Sequence, residues 1–318
     1  MRLGFLVMAL GVGAVAALIG WYGARDIGAH VLAAAWVIPP VILLHAVQLH
    51  LSGIAWQGVI GVNHPGRAAF LLIRWIRESV NSILPVAQLG GNIVGIRLLM
   101  HRGVTGAQAG AGTTIDITLE ALTQAVFTLA GIGVLAATEE RAWAPWLQVV
   151  VGVTVAIGLL FLLAQRAGLL RLVEAAAEHV ARMFPGMPEG ALRGLHDELI
   201  RLQREHSAVA RAGTLHLIAW LIGVGETWLA FTAMGNQVSL ATALVVESIG
   251  MAARSAGFAV PGALGVQEAG FILAGELCGV PADATVALSM IKRARELLVG
   301  VPGVIAWQWL EGRRALRK

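Results

Sequence analysis

Six runs of mostly apolar residues, at 3–22, 31–55, 106–137, 144–165, 213–234 and 284–309, leave this chain few ways to fold. A helix that crosses a hydrocarbon core of ~30 Å needs roughly 20 such residues. No water is available there, so each run must satisfy its own backbone N–H and C=O groups, as a helix does and an open strand does not. The fold class expected is therefore an all-α polytopic membrane protein. Composition agrees: 13% of the 318 residues are charged, about half the share of a soluble domain. The 23 basic against 19 acidic residues form no basic face, which excludes a nucleic-acid partner. A single cysteine, Cys278, excludes an internal disulfide. The first run is longer than a signal-peptide apolar region and is followed by no small-residue cleavage site, so it is read as a retained helix.

Two further apolar regions, 68–100 and 240–279, are interrupted near their middles, the first by Pro85 and Gly90-Gly91, the second by Pro261-Gly262 and Gly265. Proline removes a backbone donor and clashes with the preceding turn. Each region is expected to form two short helices joined by a bend, tolerated at membrane depth only where protein or a wet cavity surrounds it.

Arginines set the orientation. Arg67, Arg74 and Arg77 come before the break of the first region and Arg97 with Arg102 after it, so both ends are expected in the cytoplasm and the region reads as a re-entrant hairpin. The arginines of 166–212 and the tail Arg313, Arg314, Arg317, Lys318 belong on the same side. The 138–142 connection with Glu139 and Glu140, and the uncharged 235–239 connection, fit the outer side. The second broken region then enters from outside. The expected order is span, span, hairpin, span, repeated upside down, with six full spans, both termini in the cytoplasm and a bacterial inner-membrane location.

The two prolines supply a register for that repeat. Seven residues before them lie Glu78 and Arg254, and six before lie Ser79 and Ser255. Seven after lie Asn92 and Glu268. Further out, His50 matches Glu226, Asp116 matches Lys292, and Glu120 matches Glu296. The implied halves are 1–138 and 143–318. The 166–212 segment stands apart, with leucines at helical spacing between arginines and glutamates, and reads as two amphipathic helices on the cytoplasmic interface or as a solvated linker.

Ionisable side chains are costly in hydrocarbon, so each is a candidate for function. Glu78, Arg97, Asp116, Glu120, Glu226, Glu247, Arg254, Glu268, Lys292, Arg293, Arg295 and Glu296 form that set. Asp116 and Glu120 share a face of one span; Lys292, Arg295 and Glu296 share a face of another. If the two spans meet, carboxylates face cations, as structural pairing or as a substrate cradle. The hairpin bends add half-helix N-termini that could receive an anion, flanked by Gln88, Asn92, Gln267, Glu268 and Arg254. Arg254 and Arg293 suit a phosphate headgroup; the competing reading is that the kinks serve close packing. No metal, nucleotide or serine-hydrolase motif is present, and no cofactor is expected. Trp21, Trp56, Trp143, Trp146, Trp307 and Trp309 read as interfacial anchors.

The segments SVNSILPVAQLGGN (79–92) followed by Arg97-Leu98-Leu99, and AVPGALGVQEAGFILAG (259–275), resemble the flippase-like integral membrane family named for the transmembrane region of lysylphosphatidylglycerol synthase, and within it the hopanoid-biosynthesis-associated branch. The resemblance implies a role in moving or presenting a polar-headed lipid, a hopanoid or its precursor, and implies Gln88, Gly90, Gly91, Pro261, Gly262, Gly265, Gln267 and Glu268 as site positions. It extends to the membrane part and not to an aminoacyl-transferring domain, so lysyl transfer is not expected. Two rival expectations stand beside transport. One is an accessory protein that gathers lipid-biosynthetic enzymes; the other is an intramembrane transferase in which Asp116 and Glu120 activate a lipid hydroxyl.

Overall fold

The computed structural model describes residues 2–61, 65–84, 89–138, 194–258 and 260–315. Every regular element among them is a helix. In chain order these are α1 (Arg2–Tyr22), α2 (Ala24–Ala33), α3 (Ile38–Ile60), α4 (Arg67–Ile83), α5 (Gly90–Met100), α6 (Gly106–Thr138), α7 (Leu195–Gln203), α8 (His206–Ala233), α9 (Leu240–Ala256), α10 (Val266–Leu277) and α11 (Ala282–Ala315). Pro85, Gln88, the expected span 144–165 and all of 166–193 lie outside the described residues.

Among the described residues three segments are long and apolar enough to cross a membrane: Ala35–Ile60, Gly106–Thr138 and His206–Ala233. The run expected at 31–55 is divided, because the chain breaks at Ala34 and passes through the 3-10 turn Ala35–Val37 before α3 begins. Pro39 and Pro40 occupy the first turn of α3, where a missing N–H costs nothing, and Gly61 ends it at φ 71°. The run at 284–309 falls within α11, which carries Lys292, Arg293, Arg295 and Glu296 at its centre.

Both broken regions form helix pairs. α4 packs on α5, and α9 on α10. Ser239 starts α9 by accepting from the Thr242 N–H at 3.0 Å. At the second bend Gly262 (φ 60°) and Gly265 (φ 83°) take left-handed conformations open to glycine. Small residues bring the pairs together: a side chain at Gly91 would strike the Arg77 carbonyl, and one at Gly270 would strike Ala253.

The packing partners come in matched pairs under a shift of 176 residues, the separation of Pro85 and Pro261. That shift carries α3, α4, α5 and α6 onto α8, α9, α10 and α11, with the starts of α5 and α6 landing on those of α10 and α11. α4 packs on α11 as α9 packs on α6; α3 packs on α4 as α8 packs on α9; α2 lies on α11 as α7 lies on α6. The most extensive seam joins α3 to its counterpart α8.

One amphipathic expectation is corrected. In α7 the leucine stripe, Leu195, Leu199 and Leu202, is fully covered by Ala55, Val59, Ala111, Ile115 and Leu119. α7 thus spends its apolar face on protein rather than on a membrane surface.

Candidate functional site

Two buried charge clusters face each other across a polar cavity. The first is assembled by α4, α5, α6 and α8. Arg74 and Arg77, one helical turn apart on α4, both donate to Asp116 Oδ2, at 3.0 and 2.6 Å. His216 Nε2 lies 3.0 Å from the other Asp116 oxygen. Asp116 is fully buried, so three partners from two helices compensate one desolvated carboxylate. Arg74 also reaches Glu120 at 3.1 Å and Glu78 at 3.8 Å, while Arg77 Nε donates to Asn92 Oδ1 at 2.6 Å. Beneath Arg77 lies the Trp56 ring, 5.2 Å from the guanidinium carbon.

The second cluster is built on α11. Lys292 pairs with Glu247 at 2.8 Å, and Arg295 with Glu226 at 2.5 Å. Arg293 donates to Glu268 at 2.9 Å, to the Gly262 carbonyl at 2.6 Å and to Glu296 at 2.9 Å. Arg254 holds Glu296 and the Gln267 side-chain oxygen. Glu268 also accepts from Ser289 at 3.0 Å and turns back to the Gly265 N–H at 2.7 Å, capping α10. The first hairpin has a related closure, where Asn81 accepts the Gly91 N–H at 2.8 Å. The backbone donors of Gly91 and Gly265 are therefore engaged by the chain itself.

Between the clusters lies a cavity of about 110 Å³ lined by His45, Gln48, Arg74, His216, Arg295 and Glu296 among others. A second cavity of about 250 Å³ adjoins it and reaches Asn81, Asn92, Gln124 and Ser255. Glu78, Ser82, Glu120, Trp220, Met251 and Arg254 line both. Ala121 and Ser255 at the rim of the second are exposed. The chamber is thus polar and opens beside Ala121 and Ser255.

Of the expected site positions, Asn92 and Arg254 line the chamber. Pro261, Gly262, Gly265, Gln267 and Glu268 do not line it; Gln267 holds Arg254, and the Gly262 carbonyl and Glu268 hold Arg293. Gly90 is buried, Gly91 is buried in the α4–α5 contact, and Gln88 lies outside the described residues. Asp116 and Glu120 find their cations on α4, not on α11, which corrects the expectation that the two charged spans pair directly. Arg97 pairs with Glu311 at 2.9 Å, away from the chamber.

Four residues differ in role from the sequence reading. Arg74 and Arg77 are 3% exposed and belong to the first cluster rather than to a cytoplasmic loop. Their spacing with Glu78 placed them on one helical face, and that was the available signal. Trp56 is completely buried, donating to Thr113 at 3.2 Å, and anchors no interface. His216 was missed because α8 starts at His206, which puts this histidine well inside the helix rather than at its edge.

Comparison with known proteins gives one match of high coverage. The family model described as Lysylphosphatidylglycerol synthase TM region matches residues 7–303. No curated protein and no solved structure matches the chain.

Proposed function

The chain belongs to the lysylphosphatidylglycerol synthase transmembrane-region family, a membrane protein related to lipid handling or synthesis, and from that premise we propose that it moves or presents a polar-headed lipid across the bilayer. The observation that carries this reading is the chamber: paired charges and amides sit inside an apolar helical body, with an opening beside Ala121 and Ser255. A headgroup occupies the chamber while its tail stays in lipid. An ionisable group within a membrane span is by default a candidate for a substrate path.

The architecture that suits this role is six spans with two opposed re-entrant hairpins, the halves related by inverted topology. Helix length supports the hairpins. The eleven residues of α5 rise about 17 Å, little more than half of a ~30 Å core; α10, with twelve, is similarly short. The matched packing under the 176-residue shift supports the repeat. Rocking of one half against the other, with the cavity exposed first to one leaflet and then to the other, follows from that symmetry. The inner membrane is the location this role implies, and the resemblance supports a hopanoid or its precursor as the lipid.

The test is lipid translocation in proteoliposomes, read by leaflet-selective quenching of a fluorescent lipid. Wild-type protein accelerates transfer over empty vesicles. Glu78→Gln, which touches one long ion pair, and Arg254→Ala each slow it by about tenfold or more, the cost of one hydrogen bond to a charged group. Transfer no faster with wild type than in empty vesicles overturns the proposal.

A further inference from the structure

The charges on the chamber walls cancel. Arg74, Arg77, Arg254 and Arg295 line the two adjoining cavities, and so do Glu78, Glu120, Glu247 and Glu296. The arginines are committed: Arg74 and Arg77 to Asp116, Arg254 to Glu296, Arg295 to Glu226. Side-chain exposure is low for these cations, 3%, 4%, 12% and 10%, whereas Glu78 and Glu120 keep 36% and 31%. A phosphate entering the chamber would meet accessible carboxylates and guanidiniums already held in ion pairs. An ammonium would reach Glu78 and Glu120, but both already share Arg74 and Arg77, at 3.8 Å for Glu78 and at 3.1 and 3.7 Å for Glu120, so it would have to displace an existing pair. Neither charge finds an uncompensated partner.

The same walls offer hydrogen bonding of both senses without net charge. Glu78 and Glu120 accept; Asn81, Ser82 and Ser255 donate or accept. Trp220 faces both cavities, fixed by a hydrogen bond from its indole N–H to Thr123 at 3.2 Å and by stacking on Phe127 at 5.9 Å. A rigid aromatic face beside planar polar groups fits a ligand that has hydroxyls at its edge and C–H bonds on its face. We infer that the chamber receives an uncharged, hydroxyl-rich headgroup, a polyol or glycosyl group, in preference to a phosphate or an amine. The inference rests on the reading of the cavity as a headgroup chamber.

The test compares three amphiphiles of equal chain length, an alkyl glucoside, an alkyl phosphate and an alkylamine. The whole protein is purified in a detergent without sugar headgroups, and binding is read by native mass spectrometry. The glucoside binds about tenfold or more tightly than either charged analogue, a difference of about 1.4 kcal/mol, and its retention is unchanged when ionic strength rises, since no headgroup charge is there to be screened. In the double variant Glu78→Gln/Glu120→Gln the walls carry an excess of positive charge, and preference moves to the alkyl phosphate, a gain that misfolding cannot produce. Tighter wild-type binding of the phosphate or the amine, or a double variant with unchanged selectivity, overturns the uncharged-headgroup inference alone. Binding of none of the three overturns the headgroup chamber itself.

Discussion

Asp116 and Glu78 both pair with Arg74, yet the structure assigns them different work. Asp116 is wholly buried and compensates Arg74, Arg77 and His216 at once. Removing its charge leaves two desolvated guanidiniums short of a partner, and breaking a buried pair in this way costs about 3–5 kcal/mol. Asp116→Asn is therefore expected to lower the thermal midpoint of the purified protein sharply, whereas Glu78→Gln, half exposed and 3.8 Å from its partner, changes stability by less than about 1 kcal/mol. Equal midpoints for the two variants would remove Asp116 from its structural role. Sequence reasoning found Asp116 and Glu120 because carboxylates stand out in an apolar run. It did not find their partners, because Arg74 and Arg77 lie near a chain segment that loops could equally well supply, and only the start of α4 at Arg67 carries them into the protein. Trp56 was misplaced for a related reason: tryptophan at a span end and tryptophan under a buried arginine look alike until the tertiary partner is known.

Helix breaks were legible where proline and glycine wrote them. Both interrupted regions form helix pairs, since Pro261 with left-handed Gly262 and Gly265 stops one helix and starts the next, and α4 and α5 end and begin on either side of Pro85. How closely the helices of a pair approach was not legible, because glycine is also common wherever membrane helices merely touch. Gly91 and Gly133 separate the two cases. A Cβ at Gly91 would run into the Arg77 backbone carbonyl and the Asn81 side chain, while Gly133 has nothing within 4 Å. Gly91→Ala must push α5 off α4, and overpacking of this kind costs about 1–3 kcal/mol. Gly133→Ala, on an open helical face, is neutral or slightly stabilising. Thermal midpoints of the two variants check this, and a Gly91→Ala protein as stable as wild type would mean that the hairpin has room to spare. The amphipathic stripe of α7 shows the opposite limit of pattern reading: periodicity told that Leu195, Leu199 and Leu202 share a face, but a membrane surface and the flank of α6 select for the same stripe.

At the scale of the whole molecule the argument turns on direction. The matched packing of α3 to α6 against α8 to α11 relates two halves, and the odd number of crossings between them, as proposed, turns the second half over. Polar coincidences around two prolines reveal a register in sequence, but not which face of the bilayer each hairpin enters, since arginines that would mark the inside can instead be buried, as Arg74 and Arg77 are. Arg102 and Cys278 are counterparts under the 176-residue shift, one just beyond α5 and the other just beyond α10. Inverted topology places them on opposite faces. In a Cys278→Ser background, Gly66→Cys and Arg102→Cys, at the two ends of the first hairpin, are expected to react with a membrane-impermeant maleimide from the cytoplasmic side only. Gln237→Cys in that background, and the native Cys278 of the unaltered chain, are expected to react from the other side only. Reaction of Gly66→Cys and Arg102→Cys from different sides would make α4 and α5 a full crossing. It would also give the second half the orientation of the first, and the chamber could then no longer be opened alternately by rocking two inverted halves.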